Sequence, residues 1–255
     1  MHGEDAPSAS GPGGQAGVGF PDVGRLPIVA VAGMAFEAKI ARGRGVEAVF
    51  AARADLLERV LSEALARGCS GVLSFGTAGG LAPDLEPGTL IIADAVSGPF
   101  GRLDTDPVWS ARLLEAFNGS PLAQRVRCGP MMGVASAVTS AQQKASLHRS
   151  TGALAVDMES HIAGAIATAR GLPFAVCRAI VDPAWRTLPK AAMAGLRDDG
   201  TTVVLPVLRE LMRQPSQIGP LLRTAADARA ARTSLVQARH AFGEAGVFEI
   251  PASGQ

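Results

Sequence analysis

The sequence predicts an α/β fold built in layers around one central sheet. Near-continuous apolar runs at 26–33, 71–75 and 173–180 read as strands covered on both faces. Segments with apolar residues at helical spacing lie between them, so strands and helices alternate along the chain. No internal repeat of 20–50 residues points to a solenoid or propeller.

Composition narrows the function classes. The 255 residues are 47% hydrophobic and 18% charged, a globular balance with room for a substantial core. A formal net charge of +1, 4% aromatics and no tyrosine exclude nucleic acid as the expected partner. Such a chain has neither a positive field for phosphates nor a platform on which bases stack. Cys69, Cys128 and Cys177 are odd in number and lack metal-ligand spacing, so they read as reduced, small core residues. His2, His148, His161 and His240 form neither a ligand set nor a triad, and no metal is expected. No window approaches the roughly 18 apolar residues of a membrane span. Met1–Gly19 lacks the basic and apolar regions of a secretory signal, so a soluble, cytoplasmic protein is expected.

In chain order, residues 1–25 are rich in Gly, Ser, Pro and Ala and are expected to form a disordered leader. A single domain is expected over 26–240, with 241–255 as a tail. Leu26–Gly33 supplies the first strand, and Met34–Arg42 a short helix or turn carrying Glu37. Ala51–Arg67 places Leu56, Leu57, Val60, Leu61, Ala64 and Leu65 on one helical face, closed by Gly68. The strand Gly71–Phe75 runs into an expected loop, Gly76-Thr77-Ala78-Gly79-Gly80-Leu81. Pro83, Pro87 and Gly88 mark a turn before the strand Thr89–Val96. Pro107 at a first helical position, capped by Thr105 or Asp106, opens a helix to Phe117. Met131–Ser136 reads as a strand and Ser140–Arg149 as a helix.

The stretch Ala155–Pro189 carries most of the chemistry. An apolar run ends in Asp157-Met158-Glu159, followed by a small-residue helix closed by Gly171, a strand Pro173–Ile180, and Asp182 just past its end. Two further helices are expected at Thr201–Met212 and Ile218–His240. The arginines of the last helix suit an anionic membrane surface, but packing onto the domain or a partner subunit is the plainer role.

Open α/β sheets bind ligands beyond strand C-termini, where these acids fall. Gly76-Thr77-Ala78-Gly79-Gly80 would let backbone N–H groups approach an anionic or hydroxyl-rich ligand, although a tight structural turn explains it as well. It has neither the dinucleotide G-x-G-x-x-G spacing nor a P-loop lysine. Asp157 alone reads as a helix cap favoured by the dipole. Glu159, if it points into the crevice, can accept hydrogen bonds from a cis-diol. Asp182 in a half-buried pocket would have its pKa raised toward neutrality and could donate a proton there. An Asp opening a turn before Pro183 is the structural alternative. Glu37 shares the same sheet edge if the strands are parallel.

Taken together, V-A-G-M-A-F-E, F-G-T-A-G-G-L, V-D-M-E-S and C-R-A-I-V-D resemble the purine nucleoside phosphorylase and methylthioadenosine/S-adenosylhomocysteine nucleosidase superfamily, in order over about residues 27–213. A-V-A-G-M-A-F-E-A-K-I-A and V-D-P-A-W-R-T-L-P are similar to its hopanoid-biosynthesis-associated branch. The resemblance implies a three-layer nucleoside phosphorylase-like fold, with a central mixed sheet and helices on both faces. It implies cleavage of the N-glycosidic bond of a 5′-substituted adenosine, with adenine released from adenosylhopane.

In that scheme Asp182 protonates the departing base, and Glu37 orients a water or helps hold the sugar. Met158 and Glu159 bind ribose. Gly76, Thr77, Ala78 and Gly79 lie at the nucleophile or phosphate. Val138 and Val181 border the base, where relatives carry a stacking aromatic and a serine. No cofactor is implied, but inorganic phosphate enters as co-substrate if the protein is a phosphorylase. No clear equivalent of a phosphate-binding arginine set is present. Arg42, Arg44 and Arg102 could hold the anion, although ordinary surface arginines are the plainer reading, so water and phosphate both stay open. The implied partners are a small or lipid-linked nucleoside, a second copy in a homodimer, and a membrane surface touched peripherally. Methylthioadenosine, S-adenosylhomocysteine or futalosine as substrate, or a catalytically silent nucleoside-binding protein, remain the alternatives.

Overall fold

The computed structural model describes residues 26–189, 197, 199–201, 209–210 and 212–249. The expected leader, most of the expected helix Thr201–Met212 and residues 250–255 lie outside the described residues. Strands and helices alternate through most of the chain: β1 (Ile28–Ala32), α1 (Ala35–Ala41), β2 (Val46–Phe50), α2 (Ala54–Ala66), β3 (Gly71–Gly80), β4 (Leu90–Gly98), β5 (Gly101–Asp104) and α3 (Pro107–Glu115). They continue with β6 (Val126–Gly133), α4 (Ala141–Thr151), β7 (Ala155–Asp157), α5 (Ser160–Ala169), β8 (Phe174–Asp182) and α6 (Ile218–Glu244).

The strands form one mixed sheet in the order β2-β1-β3-β7-β6-β4-β5, with β8 paired to both β3 and β4. Those pairings close β3, β8, β4, β6 and β7 into a ring, and β1 and β2 extend it in parallel from β3. Alternation along β1 shows why both faces need helices. Ile28, Ala30 and Ala32 belong to a core that also holds residues of α1, α3 and α6, whereas Val29 and Val31 belong to one that holds residues of α2 and α5. Such runs are apolar throughout because each side meets a core.

Sequence signals account for most element ends. Asp106 accepts the Trp109 N–H at the start of α3, with Pro107 next to it. Ser140 and Gln143 make a capping box on α4, and Gly152 closes that helix in the left-handed region. The last helix is longer than expected, and Ala231, Leu235, Ala238 and Phe242 bury it against the core. It packs on the domain, as the plainer of its two expected roles required. Among the described residues no helix is long and apolar enough to cross a membrane.

Five expectations need correction. Cys128 is exposed rather than a core residue. Gly76–Gly80 is not a loop but the second half of β3, paired with β8 and β7. Asp157 ends a strand rather than opening a helix, and Asp182 is the last residue of β8 rather than a residue beyond it. The sixth strand lies earlier than Met131–Ser136. Strands β2 and β5 were not expected: β5 has Leu103 as its only large apolar residue, whereas β2 (VEAVF) is apolar at four of five positions but very short.

Leu61 is fully buried between α2 and the sheet. Leu61→Ala should lower stability by about 2–5 kcal/mol, read as a lower urea midpoint with an unchanged slope.

Candidate active site

One cleft opens at the C-terminal ends of the parallel strands β1, β3 and β8, the position expected for a ligand in an α/β sheet. It encloses about 190 Å³ and is lined by Glu37, Thr77, Ala78, Gly79, Val138, Met158, Glu159, Val181 and Asp182, among others. Every residue expected at the site except Gly76 therefore borders the same space. Gly76 stands one position behind the wall, against Glu37 and Arg178. Arg42 instead donates to the Ala48 carbonyl, and Arg102 pairs with Asp104 on the exposed hairpin. Neither arginine borders the cleft, and nor does Arg44.

One end of the site is organised by Arg178, a fully buried residue of β8 whose role the motifs did not announce. Its Nε lies 2.8 Å from Asp157 Oδ2 and its Nη1 lies 3.1 Å from Glu159 Oε2. Nη2 donates to Ser74 Oγ at 2.6 Å, and Nη1 to the Thr77 carbonyl at 3.3 Å. Ser160 completes the frame, donating its N–H to Asp157 Oδ1 at 3.1 Å and lying 2.7 Å from Ser74 Oγ. An arginine inside the apolar run V-C-R-A-I-V was the available signal, since a buried charge must find partners.

Burial works against the charge on Arg178, but Asp157, Glu159 and Glu37 outweigh it and hold the guanidinium above its ordinary pKa. Glu159 goes the other way. Burial pushes its pKa up to about 8, opposed by Arg178 and reinforced by Asp157 and Glu37.

Glu37 is also buried, and both its oxygens are occupied. Oε2 accepts the N–H groups of Gly33 (3.1 Å) and Met34 (3.0 Å), while Oε1 accepts Thr77 N–H (2.8 Å) and Thr77 Oγ1–H (2.6 Å). A carboxylate offers about four acceptor sites, so the protein itself takes them all and Glu37 clamps β1 to β3. In this arrangement Glu37 has no lone pair left for a water unless the Thr77 hydroxyl turns away.

The glycines have a steric reason different from the one expected. A Cβ on Gly33 would collide with the Glu159 carboxylate. One on Gly76 would lie 2.7 Å from both Arg178 and Glu37, and one on Gly79 3.1 Å from Asp182 Oδ1. These positions make room for charged side chains rather than bare backbone for a ligand.

Asp182 forms the other end. Gly76 and Gly79 are three residues apart on β3, so the Arg178 group and Asp182 are separated by about 10 Å along the strand. A bulge between Ala78 and Gly79 pairs Gly79 with Asp182 and leaves Val181 as the extra residue. Consecutive residues of a regular strand face opposite ways; at this irregularity Val181 and Asp182 both reach the cleft. The Lys144 ammonium, fully buried on α4, is ion-paired with Asp182 Oδ2. Burial raises the Asp182 pKa, Lys144 pulls it back, and Asp227 raises it further, leaving it above the ordinary value. Val134, Ala137, Val138, Val156 and Leu188 supply apolar wall.

The fold that carries this cleft matches known proteins. A model of the phosphorylase superfamily matches residues 44–201. Among curated protein sequences no match was found. Of solved structures, a Helicobacter pylori methylthioadenosine nucleosidase mutant with 5′-methylthioadenosine in its active site superposes with a TM-score of 0.61 at 16% identity. The match covers 87% of this chain and 98% of that one. The native futalosine hydrolase of the same organism gives 0.61 at 15% identity, over 87% and 97%. The 5′-methylthioadenosine/S-adenosylhomocysteine nucleosidase of Neisseria meningitidis gives 0.55 at 17%, over 84% and 99%. At these identities the likeness is one of fold.

Glu159 carries a pH prediction. Its folded pKa of about 8 lies above the ordinary 4.5, so the folded state holds the extra proton between those values. The associated stability is complete below about pH 4.5 and is lost as pH rises toward 8. Melting temperature should fall across that window in the native protein, and the fall should flatten in Glu159→Gln.

Proposed function

The chain belongs to the phosphorylase superfamily, and on that premise we propose that it cleaves the N-glycosidic bond of a 5′-substituted adenosine and releases adenine. The observation that carries the proposal is the pair of acids, Glu159 and Asp182, on the walls of one cleft. Asp182, raised by burial, gives its proton to the purine as the C1′–N9 bond breaks, so that the electron pair leaves on a neutral base. Glu159 and the Met158 backbone hold the ribose hydroxyls, and the acidic cluster around Arg178 places negative charge beside the electron-poor sugar. Water or phosphate then adds to C1′ near Thr77. The scheme needs no cofactor.

The size of the cleft supports a choice of substrate. At about 190 Å³ it falls below the roughly 300–1,000 Å³ of ordinary small-molecule pockets, so a large 5′ group would project from it. Of the aromatics that could line a path for such a group, Phe100 and Trp185 are about half exposed, whereas Trp109 is buried in the core. Adenosylhopane is the substrate we assign, with a homodimer and peripheral contact with a lipid surface as its accompaniments. Methylthioadenosine, S-adenosylhomocysteine and futalosine are the rival substrates, and comparable turnover of soluble methylthioadenosine would favour that group.

Adenine release should be measured on adenosylhopane and methylthioadenosine, each with and without phosphate. Asp182→Asn should keep its fold and lose about 10²-fold or more in turnover. Release at the native rate would remove Asp182 from the leaving-group role. Binding of adenosine with no release under any condition would mark a silent nucleoside-binding protein.

A further inference from the structure

We propose that Lys144 is a positioning residue of the reaction: its ammonium fixes the Asp182 carboxyl by Oδ2, presents Oδ1 to the departing base, and sets the pH at which Asp182 gives up its proton. The proposal rests on Asp182 being the leaving-group acid. Lys144 has no solvent exposure, and its Nζ is ion-paired with Asp182 Oδ2. The same Nζ donates to the carbonyls of Pro183 (3.2 Å) and Arg186 (3.0 Å), with the Asp182 carbonyl at 3.4 Å. Oδ1 is the carboxyl oxygen nearer the Gly79 wall of the cleft, while Lys144 pairs with Oδ2.

A purely structural need does not explain a lysine here. Lys144 sits in the first turn of α4, where a cation opposes the helix dipole. A buried ion pair is often no more stabilising than apolar residues of similar size. The backbone carbonyls around it could be held by neutral donors, as Leu188 N–H and Ala141 N–H already hold this segment through Thr139 and Thr187. What only a cation supplies is a counter-charge to Asp182.

The surrounding charges leave that task to Lys144. Asp227 on α6 pushes Asp182 upward, and Asp227 is itself paired with Arg186 at 2.7 Å. Arg186 is thereby engaged with Asp227. The Arg178 cluster lies at the other end of the site. Asp182 in a dry pocket beside Asp227, without Lys144, would hold its proton to higher pH and release it to the base less readily.

Removing the cation should raise the Asp182 pKa, because the positive charge favours the ionised carboxylate. In Lys144→Gln, which keeps a donor for the backbone carbonyls, the alkaline limb of kcat/KM should move up by about one to three pH units while kcat falls. Lys144→Arg should leave the limb in place. The carboxyl carbon of Asp182, followed by ¹³C NMR and identified by its loss in Asp182→Asn, should shift upward by the same amount in Lys144→Gln. This second readout needs no turnover, so it decides the role of Lys144 even if the native protein releases no purine. An unmoved Asp182 titration overturns the proposal. Lys144→Met serves if Lys144→Gln does not fold, and failure of both to fold marks the lysine as a structural strut and also overturns it.

Discussion

A guanidinium with no access to water constrains this molecule more than any other single group. Removing Arg178 from solvent is tolerable only because Asp157, Glu159, Ser74 and the Thr77 carbonyl surround it. That requirement brings the end of β7, the start of α5 and the middle of β3 to one point. It also forces glycine at positions 33 and 76, where a methyl group would occupy the space of the charges. The meeting of these three elements and the glycines at positions 33 and 76 thus share one electrostatic cause.

The second constraint lies about 10 Å along β3. There a bulge lets Val181 and Asp182 face the same space, and Lys144 meets Asp182 from the opposite element. The two ends differ in kind. Around Arg178, burial first and then the neighbouring Asp157 and Glu37 carboxylates drive Glu159 toward its neutral form against the pull of the one cation. Around Asp182 one acid has its own cation, and the neighbouring Asp227 is matched by Arg186. Such a division suits a reaction that develops positive charge on a sugar and negative charge on a base, because opposite charges are met at opposite ends of one cleft.

The sheet core was legible in the sequence wherever both faces of a strand are covered, as in Ile28–Ala32 and Phe174–Ile180. Helix starts were legible where a cap and its partner stand together, as with Asp106-Pro107 and Ser140 with Gln143. The acids of the cleft were legible through their places at strand ends. Strand β5 was not, because Leu103 is its only large apolar residue. The continuation of β3 was hidden by its glycines, which read as a loop until the charges pressing on them are seen. Lys144 stands in the polar stretch A-Q-Q-K-A, where nothing local distinguishes a buried cation from a solvated one. Its significance is a matter of tertiary contact alone.

The central claim is that Glu159 and Asp182 act together on one nucleoside, drawing the bond at C1′ apart before the nucleophile arrives. The competitive isotope effect of hydrogen at C1′ on adenine release, from a 5′-substituted adenosine labelled there, tests it most directly. A large normal effect, reflecting a sugar carbon that flattens as the base departs, is the predicted result. An effect near unity, under conditions where the bond-breaking step limits kcat/KM, would contradict it.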